Sequence, residues 1–194
     1  SLLIDDGDAL ASPYGQISGL SIISDTQAYF TGYESWQSLS LYGFDLSTGT
    51  VNPTPVVGYD SVDIRTMEVS SEGYLWVGIG SNDDPLINIV DPSDNSLVDT
   101  IELDRNPSQI KFNSTIAAIV GVASDYASSD ISLADATTPY DIDKGYAAQD
   151  LSDIVAAIDD DSFYRLGRSS QHNVSKYDIT SPLVLEWQFS TNND

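Results

Sequence analysis

Residues 87–104, INIVDPSDNSLVDTIELD, contain two alternating apolar runs joined by a cluster of turn residues. Side chains alternate between the two sides of a strand, so each run reads as a strand with one apolar face, and Asp-Pro-Ser-Asp-Asn between them reads as a turn. Whether this hairpin stands alone or recurs decides the fold.

It recurs. Glycines that close an apolar run, Gly32, Gly78, Gly121 and Gly167, follow one another at steps of 46, 43 and 46 residues. Aspartates that close the next run, Asp45, Asp91, Asp135 and Asp178, keep steps of 46, 44 and 43. Two independent markers with the same step define a repeat, and a period of this length points to solenoids or propellers. Four short strand-like runs fit within each period. In the second period they are Ile64 to Val69, Tyr74 to Ile79, Leu86 to Asp91 and Ser96 to Leu103. The first period closes with a proline-interrupted run around Thr54 to Tyr59, and the third closes near Tyr140 to Ile142. Gln149 to Ala157 is the one stretch with mild helical periodicity.

The expected fold is all-β: a β-propeller of four-stranded antiparallel blades, with about four blades present. Residues 1–15 read as an outer strand of a preceding blade or a lead-in, followed by blades at 16–61, 62–106, 107–150 and 151–194. The last repeat owns its outer strand, Leu183 to Phe189, so the leading strand is not needed to complete it. Four blades could close alone, but this layout favours an arc of a larger seven- or eight-bladed ring. An open arc would leave two apolar blade faces able to self-associate. The start at Ser1, with neither Met nor a basic and apolar leader, reads as a trimmed chain whose targeting signal is lost.

Composition narrows the classes of partner. Thirty acidic residues against seven basic give a formal charge of −23, which repels the phosphates of nucleic acid and anionic lipid surfaces. The longest apolar run, residues 116–123, is far shorter than the roughly 20 residues of a spanning helix, so membrane insertion is not expected. There is no cysteine, which excludes disulfides, thiol nucleophiles and zinc–thiolate sites.

The second repeat resembles a known family. YLWVGIGSNDDPLINIVDPSDNSLVDTIELDRNPSQIKF, residues 74–112, is similar to the YVTN-type β-propeller repeat of surface-layer and lactonase-like propellers. Leu75 to Gly78 stand in place of the tetrapeptide, Ile87 to Asp91 form the next strand, Val98 to Leu103 the last, and Pro107 stands where the family has its proline. The resemblance implies a periplasmic, surface or secreted protein that binds other molecules; some members of the family are enzymes.

Candidate sites are taken from loops, where scaffolded β folds gather functional groups. The loops after the second strands and the links between blades should share one face. Together they carry Tyr33, Trp36, Asp83, Asp84, Tyr126 and His172, with Arg65, Arg105 and Arg168 nearby. Aromatics and arginines in a polar rim suit protein or carbohydrate recognition. The competing reading packs the aromatics between blades and pairs the arginines with local carboxylates. The repeated Asp45, Asp91, Asp135 and Asp178 read as turn caps, because a short carboxylate can accept the N–H groups of the turn it precedes. Calcium is the one cofactor considered, at Asp5, Asp6 and Asp8 or at Asp83 and Asp84, since it takes oxygen ligands from clustered carboxylates. His172 is the only histidine and has no nucleophile elbow around it, so no catalytic residue is assigned. The sequence is therefore read as a non-catalytic binding or scaffold module of a secreted, periplasmic or cell-surface protein. A lactonase-like or other hydrolase using carboxylates, with or without calcium, and a structural spacer in a surface assembly, are the alternatives.

Overall fold

A computed structural model describes residues 16–34, 38–52, 54–60, 62–80, 84–123, 128–148, 154–158, 161–167, 173–179 and 184–190. Every regular element among them is a β-strand. Four consecutive strands make each sheet, with neighbours in sequence paired antiparallel. The first sheet contains β1 (Gln16–Ile22), β2 (Gln27–Glu34), β3 (Ser38–Asp45) and β4 (Thr50–Val51). The second contains β5 (Ile64–Val69), β6 (Leu75–Ile79), β7 (Leu86–Asp91) and β8 (Ser96–Glu102). The third contains β9 (Asn106–Phe112), β10 (Ile116–Val122), β11 (Ser129–Asp135) and β12 (Ile142–Ala148). The fourth contains β13 (Ile154–Ile158), β14 (Ser162–Gly167), β15 (Asn173–Asp178) and β16 (Val184–Ser190).

Contacts between sheets run mainly through their first strands, β1 with β5, β5 with β9 and β9 with β13. These strands therefore line the inside of an arc, and each later strand lies farther out. Burial follows this order. Residues Leu75 to Gly78 of β6 are all buried, whereas β8 buries Ile101 alone. A strand covered on both faces needs an apolar residue at every position, and a strand at the rim does not.

Sheets join face to face. Tyr29 and Leu41 of the first sheet pack with Leu75, Val77 and Val90 of the second. On the other side of the second sheet, Trp76, Ile87 and Ile89 meet Ala117, Ile119 and Ala134 of the third. The third junction sets Ala118, Val120, Ile131 and Leu133 against Phe163 and Tyr177. Even and odd positions of one strand thus serve opposite neighbours, as with Trp76 between Leu75 and Val77. Small residues on β10 make room for large ones on β6: Trp76 is wholly buried, with the rings of Phe112 and Tyr140 edge-on at 4.9 and 5.9 Å. The indole Nε1–H has no hydrogen-bond acceptor, so ring edges and packing hold it.

Two further contacts lock neighbouring sheets. A Cβ added to Gly78 would lie 2.6 Å from Thr66 Cγ2 and 2.9 Å from the Pro107 ring, so glycine is what lets the proline of the third sheet close on the second. The turn of the opening stretch reaches the first sheet: Tyr29 Oη donates to Asn95 Oδ1 at 2.5 Å, and Gln27 Nε2 donates to the Pro92 carbonyl at 2.9 Å. Asn95 sits at φ 63°, a left-handed conformation that Asn tolerates better than most residues.

Three expectations are corrected. The outer strand of the first sheet is Thr50–Val51, not Thr54 to Tyr59. Asn52 N still bonds Gly43 O, and pairing with β3 resumes only where Val56 N meets Leu41 O and Tyr59 O accepts from Leu41 N. Proline has no N–H to give a ladder, and Pro53 and Pro55 fall in the interruption. In the third sheet Tyr140 is not in the last strand, which starts at Ile142. It lies at φ 61° with its N–H on Thr137 O, and turns its ring onto Trp76. Within the helical candidate, 149–153 lie outside the described residues, and Ile154 to Ala157 belong to β13. Ile154, Val155 and Ile158 favour the extended backbone, and pairing with β14 overrides the weak helical period.

Replacing Trp76 with Ala should cost about 3–5 kcal/mol by opening a cavity at the junction of the second and third sheets. Trp76→Phe, which keeps the ring contacts and removes an unbonded donor, should cost less than half as much; urea unfolding of the two variants checks the order.

Candidate functional site

In antiparallel sheets the end of the second strand, the start of the third and the start of the first share one end. The links between sheets arrive at that same end. Tyr33, paired through its backbone with Gln16 and Leu39, lies there in the first sheet. Arg65 and the exposed Asp84 lie there in the second, and Arg105 in the third. Trp36, Asp83, Tyr126, Arg168 and His172, and the calcium candidates Asp5, Asp6 and Asp8, are outside the described residues.

Arg65 and Arg105 are each held by a carboxylate. In the pairing of β5 with β6, Ile64 faces Ile79 and Thr66 faces Gly78, which leaves Arg65 as the extra residue of a bulge. Its Nε and Nη2 both lie 2.7 Å from Asp63 Oδ2. A Cβ on Gly80 would come within 2.6 Å of Arg65 Nε and 2.8 Å of that Asp63 oxygen, so the glycine provides the room for the pair. The third sheet repeats the device with different parts. Arg105 Nε lies 3.0 Å from Asp130 Oδ2, and Nη1 donates to Ser128 Oγ at 2.8 Å. Here Gly121 provides the room, since its missing Cβ would fall 2.5 Å from Asp130 Oδ1 and 3.0 Å from Arg105 Cβ.

The two pairs differ in setting. Arg65 and Asp63 are both about a third exposed, at 37% and 35% of their side chains, which makes their attraction weak in water. Asp130 retains only 14%. Burial pushes its carboxyl above the usual range, Arg105 pulls it back, and Asp104 adds to the upward push. Asp63, Gly80, Ser128 and Asp130 were not singled out from the sequence. The signal was there in part, because Gly121 is one of the repeat markers, but its partner lies nine residues on across a hairpin.

The opposite end of the sheets carries the turn aspartates. Asp45 Oδ1 accepts Ser47 N at 2.8 Å, Ser47 Oγ at 2.5 Å and Thr48 N at 3.1 Å, and these bonds hold its carboxyl below the usual range. Asp91 Oδ1 accepts Ser93 N at 2.8 Å. Both cap their own turns, in line with the reading from sequence. Between the first sheet and the opening stretch's turn lies a cleft of about 700 Å³, with Gln27, Asp45, Thr50, Asn52, Asp94 and Asn95 among its walls. Thr54 to Val57 of the proline-interrupted segment also line it. Among the described residues no three His, Asp or Glu side chains converge as the ligands of a cation would.

Sheets of four antiparallel strands, stacked face to face with first strands innermost, are the blades of one architecture. The fold is a β-propeller. No family model matches the chain, and no curated protein matches it. Solved structures do. A chain of a mitotic checkpoint complex superposes with a TM-score of 0.65 at 16% identity, over 91% of this chain and 52% of that one. The Pan2 WD40 domain of Neurospora crassa gives 0.63 at 11%, over 89% and 53%. A putative 6-phosphogluconolactonase from Bacteroides uniformis gives 0.62 at 14%, over 93% and 58%. The chain thus spans about half the length of these structures. Identities this low carry the fold and nothing finer.

Arg105→Ala should destabilise the propeller by about 1–3 kcal/mol at pH 7, because it leaves a largely buried carboxylate unpaired. Asp130 has a folded pKa above its unfolded one, so its contribution is present below about pH 4 and is lost as pH rises through the raised value. The deficit of Arg105→Ala relative to wild type should therefore shrink as pH falls toward 4, measured by urea unfolding at pH 7 and pH 4.5.

Proposed function

We propose that this propeller is a non-catalytic binding module that holds a protein or carbohydrate partner against the face carrying the links between blades. The observation that carries the reading is the repeated seating of an arginine–carboxylate pair at that face in two successive blades. Each pair is fixed by a glycine that leaves room for it, and each keeps part of its side chains in contact with water. Fixed, partly exposed arginines among carboxylates can offer planar donors and acceptors with little conformational entropy left to lose. The surrounding acidity favours a partner with basic or hydroxyl-rich groups over an acidic one.

The mitotic checkpoint complex, a protein assembly with a chain of this fold, supports a protein partner by analogy of architecture alone. The YVTN-type resemblance of residues 74–112 and the fold shared with a putative lactonase support a blade of the surface-layer and lactonase-like kind. On this reading the parent protein is secreted, periplasmic or on the cell surface, and the acidic, cysteine-free composition is in keeping with that.

Binding of the purified chain to peptide and glycan arrays tests the proposal. Peptides or glycans that bind should lose about 10- to 100-fold in affinity with Arg65→Ala or Trp36→Ala, as for anchor residues of an interface. They should be unaffected by Leu97→Ala on the exposed outer strand β8. Binding that ignores both link-face substitutions sinks this face as the site. Thermal melting separates the hydrolase alternative: the binding module should melt at the same temperature in calcium and in EDTA. A calcium-dependent rise of about 5–10 °C, expected for a site filled at 100 times its Kd, would turn the assignment toward a metal-dependent enzyme.

A further inference from the structure

The end of the sheets opposite the links carries an opening of its own. The cleft of about 700 Å³ beside the turn that follows Asp91 falls within the roughly 300–1,000 Å³ of small-ligand sites, and it shares no residue with the link face. Polar side chains on its walls are each fixed through one atom and keep another unused among the described residues. Asn95 Oδ1 accepts the Tyr29 hydroxyl at 2.5 Å, which leaves Nδ2. Asn52 Oδ1 accepts Thr54 N at 3.1 Å, which again leaves Nδ2. Gln27 gives Nε2 to the Pro92 carbonyl at 2.9 Å and to the Tyr29 hydroxyl at 3.0 Å, which leaves Oε1. Asp45 takes its hydrogen bonds from Ser47 and Thr48 on Oδ1, and Asp94 takes Ser96 N on its own Oδ1, so each keeps Oδ2. Groups held in this way have little conformational entropy left to lose when a ligand arrives.

We propose that this cleft binds a neutral sugar. The spare atoms are of both kinds, amide donors on Asn52 and Asn95 and oxygen acceptors on Gln27, Asp45 and Asp94. A hydroxyl is the ligand group that serves both, since it donates one hydrogen bond and accepts others. A cation would satisfy the oxygens and leave the amide donors unmet. An anion would meet two carboxylates and, among the described residues, no lysine or arginine on the walls. Pro55 and Val57 add apolar surface on which the C–H faces of a sugar ring can rest, and Val57 is 90% exposed. The proposal does not rest on the reading of the link face, because the two sites lie at opposite ends of the sheets.

Titration calorimetry of the intact chain with cellotetraose, maltotetraose, mannotetraose and chitotetraose tests this, with tetragalacturonate as the acidic counter-probe and the chitosan tetramer as the cationic one. At least one neutral tetrasaccharide should bind, more tightly than either charged probe. Asn52→Asp and Asn95→Asp keep the oxygen that holds Thr54 N or the Tyr29 hydroxyl and exchange only the spare donor for an acceptor. Each should weaken the neutral sugar by about 10-fold, the worth of one hydrogen bond, whereas added negative charge would strengthen a cation. Arg65→Ala, at the other end of the sheets, should leave this affinity unchanged. Circular dichroism establishes that each variant is folded, and Asn52→Asp stands as the test if Asn95→Asp is not. Three results would overturn the proposal: no binding of any neutral probe, binding of the chitosan tetramer that the two Asp variants strengthen, or sugar binding that ignores both Asp variants. In the last case, loss with Arg65→Ala would assign the sugar to the link face instead.

Discussion

The structure depends on strands that are apolar on both faces. Leu75, Trp76 and Val77 are consecutive and fully buried, and consecutive side chains on a strand point in opposite directions. One isolated sheet could cover only one of those directions. The second sheet is therefore stable only between two others, and its two clusters, one with the first sheet and one with the third, are the physical content of the repeat. Glycine at position 78 and proline at 107 follow from the same demand, because the closer two sheets approach, the less room remains where strands bend toward the axis.

Close approach of strands within one sheet produces the candidate site. At the end of the sheets where the links arrive, Gly80 and Gly121 leave the space that Arg65 with Asp63, and Arg105 with Asp130, then fill. The arginines are paired with local carboxylates, which is the structural alternative weighed from sequence. Pairing and recognition are compatible here, since the pairs keep 31% and 37% of the arginine side chains exposed. The far end of the sheets is organised differently: Asp45 and Asp91 spend their oxygens on their own turns, and Tyr29 with Gln27 grips the turn of the neighbouring sheet.

Much of this was legible in the sequence, for local reasons. Alternation in Ile87 to Asp91 and continuous apolarity in Leu75 to Val77 report which faces are covered, and Asp before a polar tetrapeptide reports a turn. What failed was also local. Pro53 and Pro55 mark an interruption, but where β3 regains its partner is set by Val56 and Tyr59, whose burial against the second sheet no short window reveals. Tyr140 reads as a strand residue by propensity, yet it takes a left-handed conformation ahead of the last strand, and its ring lies edge-on to Trp76 of another sheet.

The sequence by itself determined the strand content, the step of the repeat, the turn aspartates and the acidity that restricts partners, because each is written in residues close together along the chain. Only the tertiary structure decided that Asp130 holds Arg105, that Gly80 and Gly121 leave room for the two pairs, and that a cleft opens beside Asn95. Those facts depend on atoms brought within about 3 Å by the pairing of strands within a sheet, as Gly121 and Asp130 are across β10 and β11, and residues on different strands carry no local mark of the partner they will meet.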